Sequence, residues 1–198
     1  MKLNWAERWA VNNPLRILQQ RIEIGFLKGM ATLRPGCKVL EVGCGRGAGA
    51  QLILREFHPA LLHASDLDLE MIGRAKEYLS RENREKIFLY VADVLRLPYG
   101  DNIMDAVFGF GVLHHVPSWR AALTEVARVL KTGGLFFFEE LYPTLYQNFI
   151  TKHILLHPRD NRFFSSHLKA AMKEAHLPIN RALELKKLGI VGVSIKEG

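Results

Sequence analysis

Residues 39–49 read Val-Leu-Glu-Val-Gly-Cys-Gly-Arg-Gly-Ala-Gly, an apolar run broken by one acid and followed by glycines at 43, 45 and 47. A glycine loop between a buried strand and a helix lets backbone approach a ligand closely and turns amide groups toward it. The chemistry this serves is the binding of a nucleotide-like cofactor. By spacing alone the loop has two readings, because Gly45-Arg46-Gly47-Ala48-Gly49-Ala50 also fits the dinucleotide pattern with alanine in last place. A nicotinamide-dependent oxidoreductase would need a hydride-transfer site as well, and no Tyr-x-x-x-Lys pair occurs in the chain.

In an open α/β sheet, ligands sit at the carboxyl ends of the strands, near the switch in strand order. Asp66, Asp93 and Gly109 fall at the ends of the three strands expected after the loop. A carboxylate at Asp66 can accept two hydrogen bonds from a ribose diol, and Leu67 beside it can lie against an adenine face. Asp93 can accept from the adenine amine while the amide of Val94 donates to a ring nitrogen. Each acid alone is also an ordinary cap or turn residue. Three strand-end positions on one edge make a site.

The elements that must position these residues alternate along the chain. A helix is expected over 15–31, with Asn13 as its cap and Pro14 in its first turn. Strands follow at 38–43, 60–66, 87–91, 104–110 and 135–139. Helices lie between them at 49–57, from 68 to about 82, and from Pro117 to a glycine stop at 131–134. A helix near 166–176 precedes two β-like runs, 181–188 and 190–196, split by Gly189. Strands alternating with helices require a parallel sheet covered on both faces. The last two runs have no room for a crossover between them and should pair antiparallel. The 198 residues therefore form one domain: a helical cap over 1–36, a cofactor-binding core over 37–140, and a substrate-side segment with the closing hairpin over 141–198.

Composition is that of an ordinary globular chain, 48% apolar and 24% charged. No run approaches the roughly 20 apolar residues that span a bilayer, and the start carries no apolar signal core. Cys37 and Cys44 make neither a disulfide framework nor a zinc set, so reduced thiols and a cytoplasmic location are expected. The net charge of +7 is concentrated at the two ends around a slightly acidic middle. Such a rim suits an anionic substrate or peripheral lipid contact. Nucleic acid is not expected, because no RNA-binding or zinc-finger pattern accompanies it. His153 and His157 stand four apart without a carboxylate ligand nearby, so no metal is expected. Oligomeric state is not readable.

Residues 38–140 resemble the class I S-adenosylmethionine-dependent methyltransferases, in particular the branch of ubiquinone/menaquinone and small-molecule O-methyltransferases. The stretches that carry the resemblance are VLEVGCGRG at 39–47, SDLDLEMIGRAKE at 65–77, VADVLRLPYGDNIMDAVFGFGVLHHV at 91–116 and EVARVLKTGG at 125–134. They cover just over half of the chain. The resemblance implies an α/β Rossmann-like sheet of seven strands in the order 3-2-1-4-5-7-6 with one strand reversed. It implies S-adenosylmethionine as cofactor and S-adenosylhomocysteine as product. Glu41, Gly43, Cys44, Gly45 and Gly47 would surround its methionine part, Asp66 its ribose, Leu67 and Met71 its adenine. Asp93 and Val94 would read the adenine edge, and Gly109 would line the pocket. His114 or His115, with Glu140 at the end of the fifth strand, would assist proton removal from a hydroxyl or acidic-carbon acceptor. No Asn-Pro-Pro-Tyr-type run follows Gly109, which sets base and glutamine N-methylation aside. Trp5, Trp9, Tyr142, Tyr146, Phe149, Phe163 and Phe164 would supply an aromatic cover suited to a small apolar or ring-bearing acceptor. A non-catalytic, cofactor-binding subunit is the alternative on these residues.

Overall fold

The computed structural model describes residues 14–146, 161–185 and 187–198. Its elements run α1 (Pro14–Met30), β1 (Lys38–Val42), α2 (Ala48–Phe57), β2 (Leu61–Asp66), α3 (Leu69–Tyr78), α4 (Arg81–Lys86) and β3 (Ile87–Val91). β4 (Met104–Phe110), a 3-10 turn (Leu113–His115), α5 (Trp119–Val129), β5 (Leu130–Leu141), α6 (Pro143–Tyr146), α7 (Ser165–Glu174), β6 (Ile179–Leu185) and β7 (Gly189–Ile195) complete it. The sheet has seven strands in the order β3-β2-β1-β4-β5-β7-β6. β1 to β5 pair in parallel, and β7 is antiparallel to both of its neighbours. This is the sheet that the sequence leads one to expect.

Three boundaries differ, each for a local reason. The helix expected over 68–82 is two helices. Leu79 takes an extended backbone and drops into the core, and the Ser80 hydroxyl then accepts the Asn83 amide at 3.2 Å to start α4. The glycines at 133–134 do not mark the helix end. α5 stops at Val129, and β5 begins at once, with its register against β4 shifting between Met104 and Ala106. Gly189 is the first residue of β7, paired with Leu185 and Leu141, rather than the turn itself.

Strand alternation builds two cores. Leu40, Val42, Val107, Phe136 and Phe138 face α5 and α7, where Trp119, Leu123, Val126, Leu168 and Met172 meet them. Val39, Leu62, Phe108 and Phe137 face the other way, onto Ile24 and Leu27 of α1 and Leu52 and Ile53 of α2. Phe108 and Phe137 stack at 4.4 Å between centroids. Among the described residues no helix is long and apolar enough to cross a membrane.

α1 is fastened to this second face by charge as well as by apolar burial. Arg16 donates from Nη2 to Glu139 Oε2 at 2.9 Å and from Nη1 to Glu23 Oε1 at 3.1 Å, and Gln19 donates to the same Glu23 oxygen at 2.6 Å. Burial, and then the Glu139 charge, push the Glu23 carboxyl up to about 7 against the pull of Arg16. The folded chain thus keeps a proton that the unfolded chain has released, so stability must fall as pH rises through this window. The decline lies between the ordinary 4.5 and about 7. Urea denaturation across that range should show the decline in the parent, and Glu23→Gln should flatten it. An equal slope in the variant would assign the titration to another group.

Candidate active site

The sheet order reverses between β1 and β4, whose helical connections leave on opposite faces and open a crevice at the strand ends. Val42 is level with Ser65 on one side and Gly109 on the other, so the loops after β1, β2 and β4 leave the sheet together. A cavity lies there, walled by Gly43, Cys44 and Gly45, by Asp66 and Leu67, by Asp93 and Val94, and by Phe110, Gly111 and His115. Residues expected from four separate stretches of sequence meet on one wall.

The glycine loop is shaped for close approach. Gly45 has φ +53, and a Cβ built on it would meet nothing within 4 Å, so the space beside its backbone is open. Gly43 has φ +66, and a Cβ there would run into Val112 Cγ2 at 2.5 Å. Asp66 holds the loop in place. Its Oδ2 accepts from Gly45 N and its Oδ1 from Asp68 N, both at 2.9 Å. A carboxylate has about four lone-pair positions, so capacity remains for hydroxyl donors from the cavity. Burial raises the Asp66 carboxyl above the usual range, opposed by those two amides. Burial, with Glu41 and Asp66 nearby, pushes the Cys44 thiol well up, so it presents a neutral surface. Asp93 Oδ1 accepts from Leu95 N at 2.9 Å, which turns the chain after β3 along the cavity rim.

Four of the residues expected around the cofactor stand off the wall. Glu41 alternates with Leu40 and Val42, so its side chain passes to the α1–α2 face, behind the loop. It is 1% exposed and takes the Ala50 amide, while its Oε2 is buried without a hydrogen-bond partner. Burial and the nearby Asp66 raise it well above the carboxylate range. Gly47 begins α2, where a Cβ would touch Ala75 and Leu79. Met71 is fully buried under α3. Gly109 lies inside the sheet, close to Val42 and Phe136.

The two histidines divide. His115 is on the cavity wall. His114 turns beneath it, its ring 4.3 Å from that of His115 and its Nδ1 2.8 Å from Glu140 Oε2. Glu140 also accepts the amides of Val112, Leu113 and His114 at 3.1, 2.8 and 3.2 Å. It therefore caps the 3-10 turn that presents His115. Sequence reasoning missed Arg16 and Gln20, which also reach the wall. Their only signal is a spacing of four on α1, which places them on one face.

Of the expected aromatic cover, Tyr142 and Phe163 are core residues: Tyr142 donates to Glu184 at 2.9 Å, and Phe163 packs on Trp119 at 4.6 Å. Phe164 is half exposed. Trp5, Trp9, Phe149, His153, His157 and the cap Asn13 lie outside the described residues, as does the Tyr146 side chain. Among the described residues no cluster of three or more His, Cys, Asp or Glu could hold a metal.

A methyltransferase-domain family matches residues 40–138, half of the chain. A sterol 24-C-methyltransferase of Gibberella zeae is 36% identical over 118 residues, covering 59% of this chain and 31% of that protein. A fatty-acid O-methyltransferase of Mycolicibacterium smegmatis is 38% identical over 108 residues, covering 54% and 38%. The matched stretch thus spans about a third of the length of these relatives. Among solved structures, a SAM dependent methyltransferase from Aquifex aeolicus superposes with a TM-score of 0.76 at 18% identity, over 98% of this chain and all of the other, which shows the shared fold. The matches carry the class and do not single out the ubiquinone/menaquinone branch. On the family match, together with the sheet order, the chain belongs to the class I S-adenosylmethionine-dependent methyltransferases.

Proposed function

We propose that this chain transfers the methyl group of S-adenosylmethionine to a small, apolar, lipid-like acceptor, at oxygen or carbon. The observation that carries the reading is the single wall formed by Gly43–Gly45, Asp66–Leu67 and Asp93–Val94 at the switch point of the sheet. The residues fit the cofactor in kind. The open backbone at Gly45 admits the amino-acid portion, the spare capacity of Asp66 takes ribose hydroxyls, and the exposed face of Leu67 takes the adenine. The similarity to a sterol and a fatty-acid methyltransferase supports the apolar acceptor.

The cofactor supplies a sulfonium methyl that is already activated. The chain's own part is to hold the acceptor in line and to exclude water, and positioning of this kind reaches roughly 7–11 kcal/mol in favourable intramolecular models. For a hydroxyl or acidic-carbon acceptor, a base takes the proton. On this geometry that base is His115, which touches the cavity, while His114 and Glu140 position the turn beneath it.

Calorimetric titration with S-adenosylhomocysteine and with NADH tests the reading directly; binding of NADH alone would replace it with an oxidoreductase. Asp66→Ala should weaken S-adenosylhomocysteine by about 1.5–3 kcal/mol, the range for hydrogen bonds to a charged group. Unchanged affinity in a folded variant would remove Asp66 from the site.

Gly45→Val should abolish measurable binding, because its side chain would fill the space open beside the loop. Normal binding would show that the cofactor lies elsewhere.

With an acceptor in hand, His115→Ala should lower turnover about 10²–10⁴-fold at little change in cofactor affinity. His114→Ala should act mainly on thermal stability. If His114→Ala carries the turnover loss and His115→Ala is silent, the roles are exchanged. Cofactor binding without turnover across an acceptor panel would favour a non-catalytic subunit.

A further inference from the structure

A second concavity lies on the α1 face of the sheet, and the methyl-transfer chemistry above does not use it. Leu18, Ile22 and Phe26 recur at intervals of four along α1, and all are about half exposed. They form an apolar stripe beside the one that buries Ile24 and Leu27. Opposite them, Leu183 and Leu185 alternate onto one side of β6 and are 44% and 59% exposed, with Val191 of β7 beside them. These side chains line one groove. Large apolar groups gathered in a single groove, rather than scattered over the surface, mark a binding site.

The floor of the groove is polar and acidic. Glu23 and Glu139 both contribute to it, with Arg16 bonded between them. Glu139 is 4% exposed, and its Oε1 is buried without a hydrogen-bond partner. A buried acceptor left without a donor is costly, and a ligand hydroxyl can supply the missing donor. An ionised carboxylate head only accepts hydrogen bonds, so it has no donor to offer this oxygen. Arg16, which is bonded to both groove acids, also stands on the wall of the cofactor cavity. From Leu18 to Phe26 the helix rises about 12 Å, which accommodates an alkyl chain of medium length.

We propose that this groove binds an apolar alcohol, its hydrocarbon along α1 and β6 and its hydroxyl at Glu139. This site stands apart from the methyl-transfer reading. Methyl-resolved NMR of the full chain tests it, using decanol, decanoate and butanol as probes and S-adenosylhomocysteine in a separate titration.

Decanol should shift the methyl signals of Ile22, Leu183 and Leu185. Decanoate should bind roughly tenfold or more weakly because its head is charged, and butanol should bind weakly because its tail is short. Ile22→Asp, at an exposed position that leaves the core intact, should lower decanol affinity more than tenfold and leave S-adenosylhomocysteine affinity unchanged. Glu139→Gln, if it folds, should narrow the gap between decanol and decanoate. Absence of shifts in the groove, or shifts confined to the glycine loop, would overturn the site. Equal affinity for decanol and decanoate would overturn recognition of the head. A stable dimer that Ile22→Asp dissociates would make the groove an interface between copies instead. If decanol binds as described and S-adenosylhomocysteine does not bind at all, the groove stands and the methyl-transfer reading falls.

Discussion

Neighbouring residues on a strand point to opposite faces of the sheet, and the end of β5 applies this constraint to two adjacent acids. Glu139 follows the parity of Phe137 and enters the face covered by α1 and α2, where Arg16 meets it. Glu140 follows Phe136 and Phe138 to the other face, where it gathers three backbone amides and a histidine ring. One acid fastens the N-terminal helix over the strand ends. The other shapes the turn that brings His115 to the cavity. A slip of one residue in the pairing of β5 would turn each acid to the opposite face and break both arrangements.

The carboxylates around the crevice are buried to different degrees of satisfaction. Glu140 accepts three backbone amides and lies 2.8 Å from the His114 ring nitrogen. Asp66 has two amide donors and room for more. Glu41 and Glu139 each keep one oxygen unpartnered. The well-satisfied acid organises backbone, whereas the incompletely satisfied ones lie against the glycine loop, Arg16 and the groove. Buried polar atoms in folded proteins are nearly always paired, so the unpartnered oxygens of Glu41 and Glu139 near the strand ends call for an explanation beyond the stability of the fold.

Much of the fold was legible beforehand, because its signals are local. β3 and β4 fall where their apolar runs begin and end, and a connection too short for a crossover settled the direction of β7. The misjudged boundaries were those where tertiary contacts override local pattern. Leu79 leaves its helix to fill the core, and the 130–134 segment joins β5 despite its two glycines because it is pinned against the start of β4.

The sequence by itself determined that a glycine loop, Asp66 and Asp93 end consecutive strands, and parallel pairing then places them on one edge. Gly43, Cys44, Gly45, Asp66, Leu67, Asp93 and Val94 accordingly lie on one wall. Only the tertiary structure decided which neighbours reach it. Glu41, Gly47, Met71 and Gly109 carry the same motifs yet face the core or lie within the sheet. His115 rather than His114 meets the cavity, and Arg16 arrives from a helix 123 residues distant from its partner Glu139. The physical reason is that motif spacing fixes where the backbone goes, while the side a residue presents is set by pleat, turn geometry and long-range charge pairing, and these exist only once the sheet has formed.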